Sequence, residues 1–334
     1  MAEAKSYPVY RGVEGTVKQT LTELPALGPK DVLIKITHTG ICSSDLAYIP
    51  YGVALGHEGV GIVNQIGSMV TQFKVGDRAG GGYHRNSCGH CSYCLSGQDI
   101  WCYDRTIFGE KDYSNGTFGE YFVGTETYLH KIPDGLASEH AAPLQCAGAT
   151  VYTALVDTVK PFERVGIVGI GGLGHLAIQV ARKLGAEVVV FSTSRNKEQE
   201  ARNFGASEFY LLSETEKVTK PVKTLVITGN RYPDWDKFLV KEVVARTGTI
   251  VPLAAPEAKM ELPAFKMFFD GYNVHSSLVA SRGKHNDMLE FCSSHGIVPV
   301  VEKFKLNETG IAEAIGKLTS NKMRYGGVLV ADKD

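Results

Sequence analysis

No apolar run in this chain approaches the ~18 residues needed to cross a bilayer. The first residues, MAEAKSYPVYRG, lack the apolar core of a secretion signal. Net charge is nearly absent too, with 35 Lys and Arg against 36 Asp and Glu, so there is no electrostatic case for nucleic acid or a membrane surface. Internal repeats and low-complexity tracts are missing. A small-molecule partner and a cytoplasmic, reducing setting are therefore expected. What is present is an ordinary globular composition, 43% apolar and 21% charged, over 334 residues, enough for two domains rather than one core.

Cysteine is scarce and unevenly spread. The seven cysteines stand at 42, 88, 91, 94, 102, 146 and 292, and four of them fall within fifteen residues. An odd count without a secretion signal argues against a disulfide framework, and metal ligation explains the clustering better. Cys292 is the contrast, a single thiol on an expected helix where packing is the plain reading.

The first ~145 residues read as β-rich. VLIKITHTG, GVGIVNQIG and EYFVGTETYLHKI are short apolar or alternating runs, and FKVGDRAGGG is a turn feeding a further strand. AAPLQCAGATVYTALVDT reads as one helical stretch. From residue 164 the pattern changes to RVGIVGIG as a strand, GGLGHLAIQVARKLGA as a helix and AEVVVFSTS as a second strand. A polar helix follows in NKEQEARNFGA, then EFYLL, KTLVITG, GTIVPLA and NVHSSLVAS as strands. Such alternation predicts a parallel, doubly wound α/β sheet. The tail, from NDMLEFCSSHG to GGVLVADKD, reads as helix, short strands, helix and a final strand.

Three constellations carry chemistry. Cys88, Cys91, Cys94 and Cys102 are spaced C-x2-C-x2-C-x7-C. Four thiolates can wrap one tetrahedral ion and leave no open position, which makes the site structural. An iron–sulfur cluster shares the opening spacing, but the rest of that signature is missing, so zinc is the better expectation. The second constellation is GIGGLG, with Gly169, Gly171, Gly172, Leu173 and Gly174, between a strand and a helix. In that context the glycines allow a tight turn and the approach of a pyrophosphate to the helix N-terminus. The next strand ends FSTSRNK without the acid that would bind the ribose hydroxyls of NAD. Ser192, Thr193, Ser194, Arg195 and Lys197 instead offer hydroxyls and positive charge suited to a 2′-phosphate, so NADP(H) is the expected cofactor; the bland reading is a solvated polar loop. The third constellation is GICSSDLAYIPYGVALGHE with PLQCAG, where Cys42, His57 and Cys146 would form a sulfur–nitrogen–sulfur set with an open fourth position. By themselves, so distant a trio is weak evidence, since a buried thiol and a satisfied histidine are the usual case.

With these residues in hand, the chain resembles the zinc-dependent medium-chain dehydrogenase/reductases, closest to their cinnamyl-alcohol-dehydrogenase-like branch. The carriers are GICSSDL, GHEGVG, the four-cysteine lobe, PLQCAGATVY, VGIVGIGGLGHLAIQ, FSTS, SLVASRGKHNDMLEF and RYGGVLV, in order over nearly the whole length. The resemblance implies a GroES-like β-barrel catalytic domain, residues 1–148 with 286–334 returning to it, and an inserted Rossmann NADP(H)-binding domain, residues 149–285. It implies two zinc ions per subunit, one structural and one catalytic on Cys42, His57 and Cys146. Glu58 becomes a carboxylate able to swing onto that metal, Asp45 the partner that orients His57, Ser44 the hydroxyl that hands a proton to the substrate oxygen, and Thr150 a neighbour of the nicotinamide. The implied reaction is reversible hydride transfer between NADPH and the carbonyl of an aromatic or bulky apolar aldehyde, in a homodimer joined edge to edge through the cofactor domains.

Several positions depart from the family pattern. Ala47 stands where relatives often place a proton-relaying His, and the segment from Cys42 to His57 is short. Leu278 and Ala280 replace a Phe and a Gly, Ile107 stands for a bulky Trp, and Gly326 for an Arg. These changes bear on the substrate more than on the fold. They keep a second acceptor in view, an iminium or conjugated C=C bond on the same fold. A non-catalytic cofactor-binding protein is a third class, opposed by the complete ligand set and by Ser44.

Overall fold

The computed structural model describes residues 6–254 and 259–332. The chain divides into two compact units, one formed by Met1–Ala149 with Ala280–Asp334 and the other by Thr150–Val279.

In the first unit, the long strand Asp31–Ile41 is the organiser. It pairs antiparallel with Glu58–Ile66, with Tyr121–Thr125 and with Gly326–Val330, so N-terminal and C-terminal segments share one sheet. The sheet runs Val301–Lys305, Gly326–Val330, Asp31–Ile41, Glu58–Ile66, Arg78–Gly82, His130–Lys131. Val32, Ile34, Ile36, Val63, Ala79 and Phe122 form one buried core against it. A second core gathers Tyr10, Leu55, Phe118, Phe304, Ile311 and Leu329. Tyr10 comes from the hairpin Ser6–Val13/Thr16–Glu23, two strands that the sequence reading did not single out.

In the second unit, six strands are all parallel, in the order Glu208–Leu211, Glu187–Ser192, Arg164–Val168, Val222–Ile227, Val244–Pro252, Asn273–Val274. The order reverses at Arg164–Val168, the first strand of this unit, as in a doubly wound dinucleotide fold. Val188, Val189, Val190 and Phe191 are fully buried, which is why that strand reads as a continuous apolar run. NVHSSLVAS contributes much less strand than its length suggested. Only Asn273–Val274 pairs, at the sheet's edge, and both residues are exposed. The polar His275, Ser276 and Ser277 offer no apolar face to bury there.

The expected single helix around Cys146 is three segments. Ser138–Pro143 is α-helical, Leu144–Gly148 is a π turn, and Ala149–Thr158 is α-helical again. Pro143 supplies no N–H to the ladder. Among the described residues no helix is long and apolar enough to cross a membrane.

Candidate active site

The strand Asp31–Ile41 ends one residue before Cys42, which is the N-cap of a short helix, Ser43–Tyr48. That helix was not foreseen in GICSSDLAYIP. Asp45 makes it possible by accepting from the Cys42 backbone N–H at 3.0 Å. The same carboxylate accepts from Gly56 N–H at 2.9 Å and contacts His57 Nδ1 at 3.1 Å. One buried acid thus closes the turn, fixes the far end of the loop and orients a histidine. Between them, Ile49–Tyr51 is a 3-10 turn that ends at the left-handed Gly52.

His57 is completely buried, and its Nε2 has no hydrogen-bond partner among the described residues. With Nδ1 held by Asp45, Nε2 is the nitrogen left to face the interior, where it could ligate a metal once deprotonated. Facing one another there, the ligand atoms of Cys42, His57, Glu58 and Cys146 all lie within 4.8 Å. Glu58 opens the strand Glu58–Ile66, and Cys146 rides on the π turn.

The electrostatics of this cluster suit a cation. A hydrogen bond from Cys146, acting against burial, holds the Cys42 thiol well below its ordinary range, helped by His57. Cys146 is pushed up by donating that bond and by burial, and Glu58 is raised by burial and by the Cys42 charge. Burial opposes a charge on His57, but the Asp45 carboxylate outweighs it and holds the imidazole pKa well above normal. Glu58, Cys146 and His57 therefore favour their protonated forms, and a divalent metal would displace those protons. Two sulfurs, one nitrogen and one carboxylate are a donor set suited to zinc with an open position. Ser44 Oγ stands 3.7 Å from Cys42 Sγ, on the metal side of the helix.

Aromatic rings close the surroundings. Phe108 stacks on His57 at 4.5 Å, and Tyr48 meets Phe108 edge-on at 4.9 Å. Tyr83 packs against His57 at 5.6 Å, and burial, with Cys146 next, pushes its hydroxyl pKa well up, so it stays protonated at neutral pH. None of these three was singled out from sequence, although Phe108 follows Ile107, a noted position. Ile107 itself is buried in the two-residue strand Thr106–Ile107, and Ala47 is exposed on the helix of Ser44.

The four-thiol cluster is separate in its chemistry. Cys88, Cys91, Cys94 and Cys102 also hold their sulfurs within 4.8 Å. Cys91 caps the short helix Ser92–Leu95, which carries Cys94 inward, and the 3-10 turn Asp99–Trp101 delivers Cys102. Cys94 and Cys91 sulfurs are 3.6 Å apart, and no disulfide joins any cysteine. The lobe is pinned by Asp99, a buried acid whose carboxylate meets Arg282 Nε at 3.2 Å. Cys292 is buried elsewhere, beside Met288, with its thiol pushed up to about 12 by burial, consistent with packing alone.

In the second unit, Gly169–Gly174 joins the strand Arg164–Val168 to the helix Gly172–Lys183. Gly171 caps that helix without a side-chain bond, so its first N–H groups face outward. A Cβ on Gly174 would lie 2.2 Å from the Gly169 carbonyl, so only glycine lets the turn close. Ser192 ends the strand Glu187–Ser192, with Thr193 and Ser194 next and Lys197 returning to donate to the Ile170 carbonyl at 3.0 Å. Arg195 points to other partners, the carboxylates of Glu198 and Glu214. Thr150 and Leu278 belong to this unit and Ala280 to the first, where Gly326 begins the strand Gly326–Val330.

Comparison with known proteins follows the same division. Residues 28–134 match the alcohol dehydrogenase GroES-like domain family, and residues 172–234 match the zinc-binding dehydrogenase family. A probable formaldehyde dehydrogenase from Bacillus subtilis is 36% identical, covering 93% of this chain and 93% of that protein. An NADP-dependent alcohol dehydrogenase C from Mycolicibacterium smegmatis is 32% identical over 98% of each chain. Among solved structures, a cinnamyl alcohol dehydrogenase from Sorghum bicolor superposes with a TM-score of 0.90 at 30% identity, over 98% of both chains.

Proposed function

The chain belongs to the zinc-dependent medium-chain dehydrogenase/reductases, in the cinnamyl-alcohol-dehydrogenase-like branch, an alcohol/carbonyl oxidoreductase family, and from that premise we propose that it reduces aldehydes, aromatic or bulky and apolar ones, to primary alcohols with NADPH, reversibly. The observation that carries this reading is the buried quartet Cys42, His57, Glu58 and Cys146, with an orphaned His57 Nε2 and with Ser44 alongside.

Cys42, His57 and Cys146 would hold a catalytic zinc, and Cys88, Cys91, Cys94 and Cys102 a structural one, two per chain. A zinc ion on the first set would supply Lewis acidity toward a carbonyl oxygen, and NADPH the hydride. The remaining work falls to side chains. Ser44 gives the proton to the oxygen as negative charge develops on it, and takes it back in the reverse direction. Asp45 keeps His57 in the tautomer whose Nε2 faces the cluster. Glu58, buried beside the ligands, can exchange with them as substrate comes and goes. Phe108, fully buried against His57, excludes water on that side, and the half-buried Tyr48 beside it extends the apolar wall.

In this reading the first unit is the catalytic domain and Thr150–Val279 the cofactor domain. The N-terminus of helix Gly172–Lys183 takes the pyrophosphate, and Ser192, Thr193, Ser194 and Lys197 take the 2′-phosphate. Thr150 lies beside the nicotinamide. The pairing of Arg195 with two acids lessens its share of the phosphate. Homodimer formation through the cofactor domain has support in the exposed edge strand Asn273–Val274 and in the neighbouring helix Ala264–Asp270. Phe265, Phe268 and Phe269 on that helix are 74%, 80% and 66% exposed. Unpaired thiols suit a reducing compartment.

The test is a substrate panel with NADPH and NADH, scored by product for the wild type and Ser44→Ala. Aldehyde reduction favouring NADPH and lost on Ser44→Ala is the expected result; comparable efficiency with both cofactors removes the phosphate assignment. Ala47 gives a second acceptor a specific footing, because no side chain at that position relays the proton beyond Ser44. An iminium or conjugated C=C acceptor would then appear in the same panel as C=N or 1,4-reduction with the aldehyde untouched.

A further inference from the structure

Next to Cys146 on the same turn stands one half of a buried polar pair that the proposed reaction does not use. Gln145 is completely buried on the π turn Leu144–Gly148. Its Nε2 donates to the Ala141 carbonyl one helical turn back, at 3.0 Å. Its Oε1 is thereby turned outward, where His285 Nε2 meets it at 3.0 Å. That geometry makes His285 the donor, through a neutral Nε2–H. Burial, with His130 beside it, holds the His285 pKa well below normal, so the donor persists at neutral pH without a charge.

The pair is held from every side. The His285 ring lies flat on His130, centroids 3.7 Å apart and planes within 4°. His130 Nδ1 is in turn bonded to Asn286 at 2.7 Å. Gly80 closes the other face, since a Cβ there would sit 2.9 Å from the Gln145 amide carbon. His285 belongs to the helix Arg282–His295, and that helix is fastened to the four-cysteine lobe through Arg282 and Asp99. A π turn is a rare insertion that recurs at functional sites. Here the residue next to the turn's only thiol is the one most firmly bonded.

We propose that Gln145 and His285 are a positioning pair that locks the π turn and so aims the Cys146 sulfur at the metal position it shares with Cys42 and His57. The inference rests on Cys146 being a metal ligand. Neither residue touches substrate or metal; each acts through the backbone of the turn. A pair that merely satisfies its own buried polar groups would change stability and leave the metal's coordination alone.

The test is cobalt(II) replacement of the zinc in the full-length protein, with Cys42→Ser as the spectrum lacking the mixed site. The Gln145→Met and His285→Leu variants are expected to weaken or shift the thiolate-to-cobalt bands that Cys42→Ser removes. Chelator-driven metal loss from that site should speed up about tenfold or more, the usual scale for supporting-residue changes around a metal. The double variant should do no more than either single one, because the two act as a unit. His285→Gln keeps a donor at that point and should recover most of the wild-type spectrum, which also covers the case in which His285→Leu does not fold. Wild-type bands and release rates in the folded variants, with only a lower Tm, overturn the proposal. If wild type and Cys42→Ser already share one cobalt spectrum, the ligand reading itself falls, and the pair's role with it.

Discussion

Two clusters of cysteine lie in the same unit and are built in opposite ways. The four-thiol lobe takes all its ligands from Cys88–Cys102, and it has only sulfur to offer. The mixed site draws on a helix cap, a strand start and a π turn from three separate segments, and it combines sulfur, nitrogen and carboxylate. In the proposed reading, the first is closed once a metal binds and serves the fold. The second has an excess of acidic groups, an oriented histidine and a hydroxyl nearby, and in the proposed reading it serves a reaction. Local spacing suffices to make a structural site; a reactive one has to be assembled by the tertiary fold.

The contrast can be broken most severely at the ligands. Cys42→Ser should leave a folded protein whose kcat/KM is down about a thousandfold or more, the several kcal/mol that polarising the carbonyl supplies. Cys94→Ser should do the reverse, with a loss of more than about 4 kcal/mol of stability in urea unfolding and turnover tracking the folded fraction. Equal loss of both properties in both variants would erase the distinction. Ser44→Ala comes next, with kcat down about 100-fold or more and both metals retained.

Smaller effects sharpen the picture at its margins. Lys197→Ala should raise the KM for NADPH about tenfold, the value of one charge-assisted contact, and leave that for NADH unchanged. The polar layer next to Cys146 adds a pH effect. Burial depresses the pKa of His130 to about 4, so its folded form resists protonation that the unfolded chain accepts near ~6.5. The unfolded state then binds more protons over that interval, and stability falls as pH drops from ~6.5 towards 4. His130→Gln should show a shallower decline in urea midpoint between pH 7 and 5; an unchanged slope would assign the acid sensitivity elsewhere.

The two clusters also explain what could be read from sequence. C-x2-C-x2-C-x7-C is legible because its ligands are neighbours in the chain. Gly169–Gly174 is legible because a strand before and a helix after it supply the context. Cys42, His57 and Cys146 become a set only through resemblance, since no local pattern links a helix cap to a π turn. Asp99–Arg282, Gln145–His285 and the ring stack of Phe108 on His57 have no local signature at all, because each joins segments that only the fold brings together. Alternation of strands and helices gave the parallel sheet, but NVHSSLVAS misled because apolar content without a second buried face does not sustain a strand. The helix Ser43–Tyr48 escaped because its start is set by the bond from the Cys42 N–H to Asp45, an acid that the resemblance marked only as the partner of His57.

The most direct measurement is metal content per chain, taken with turnover, for the wild type and for Cys42→Ser. The account predicts two zinc ions in the wild type, one in the variant, and loss of aldehyde reduction together with the missing ion. A Cys42→Ser protein that keeps both ions and its turnover would contradict it.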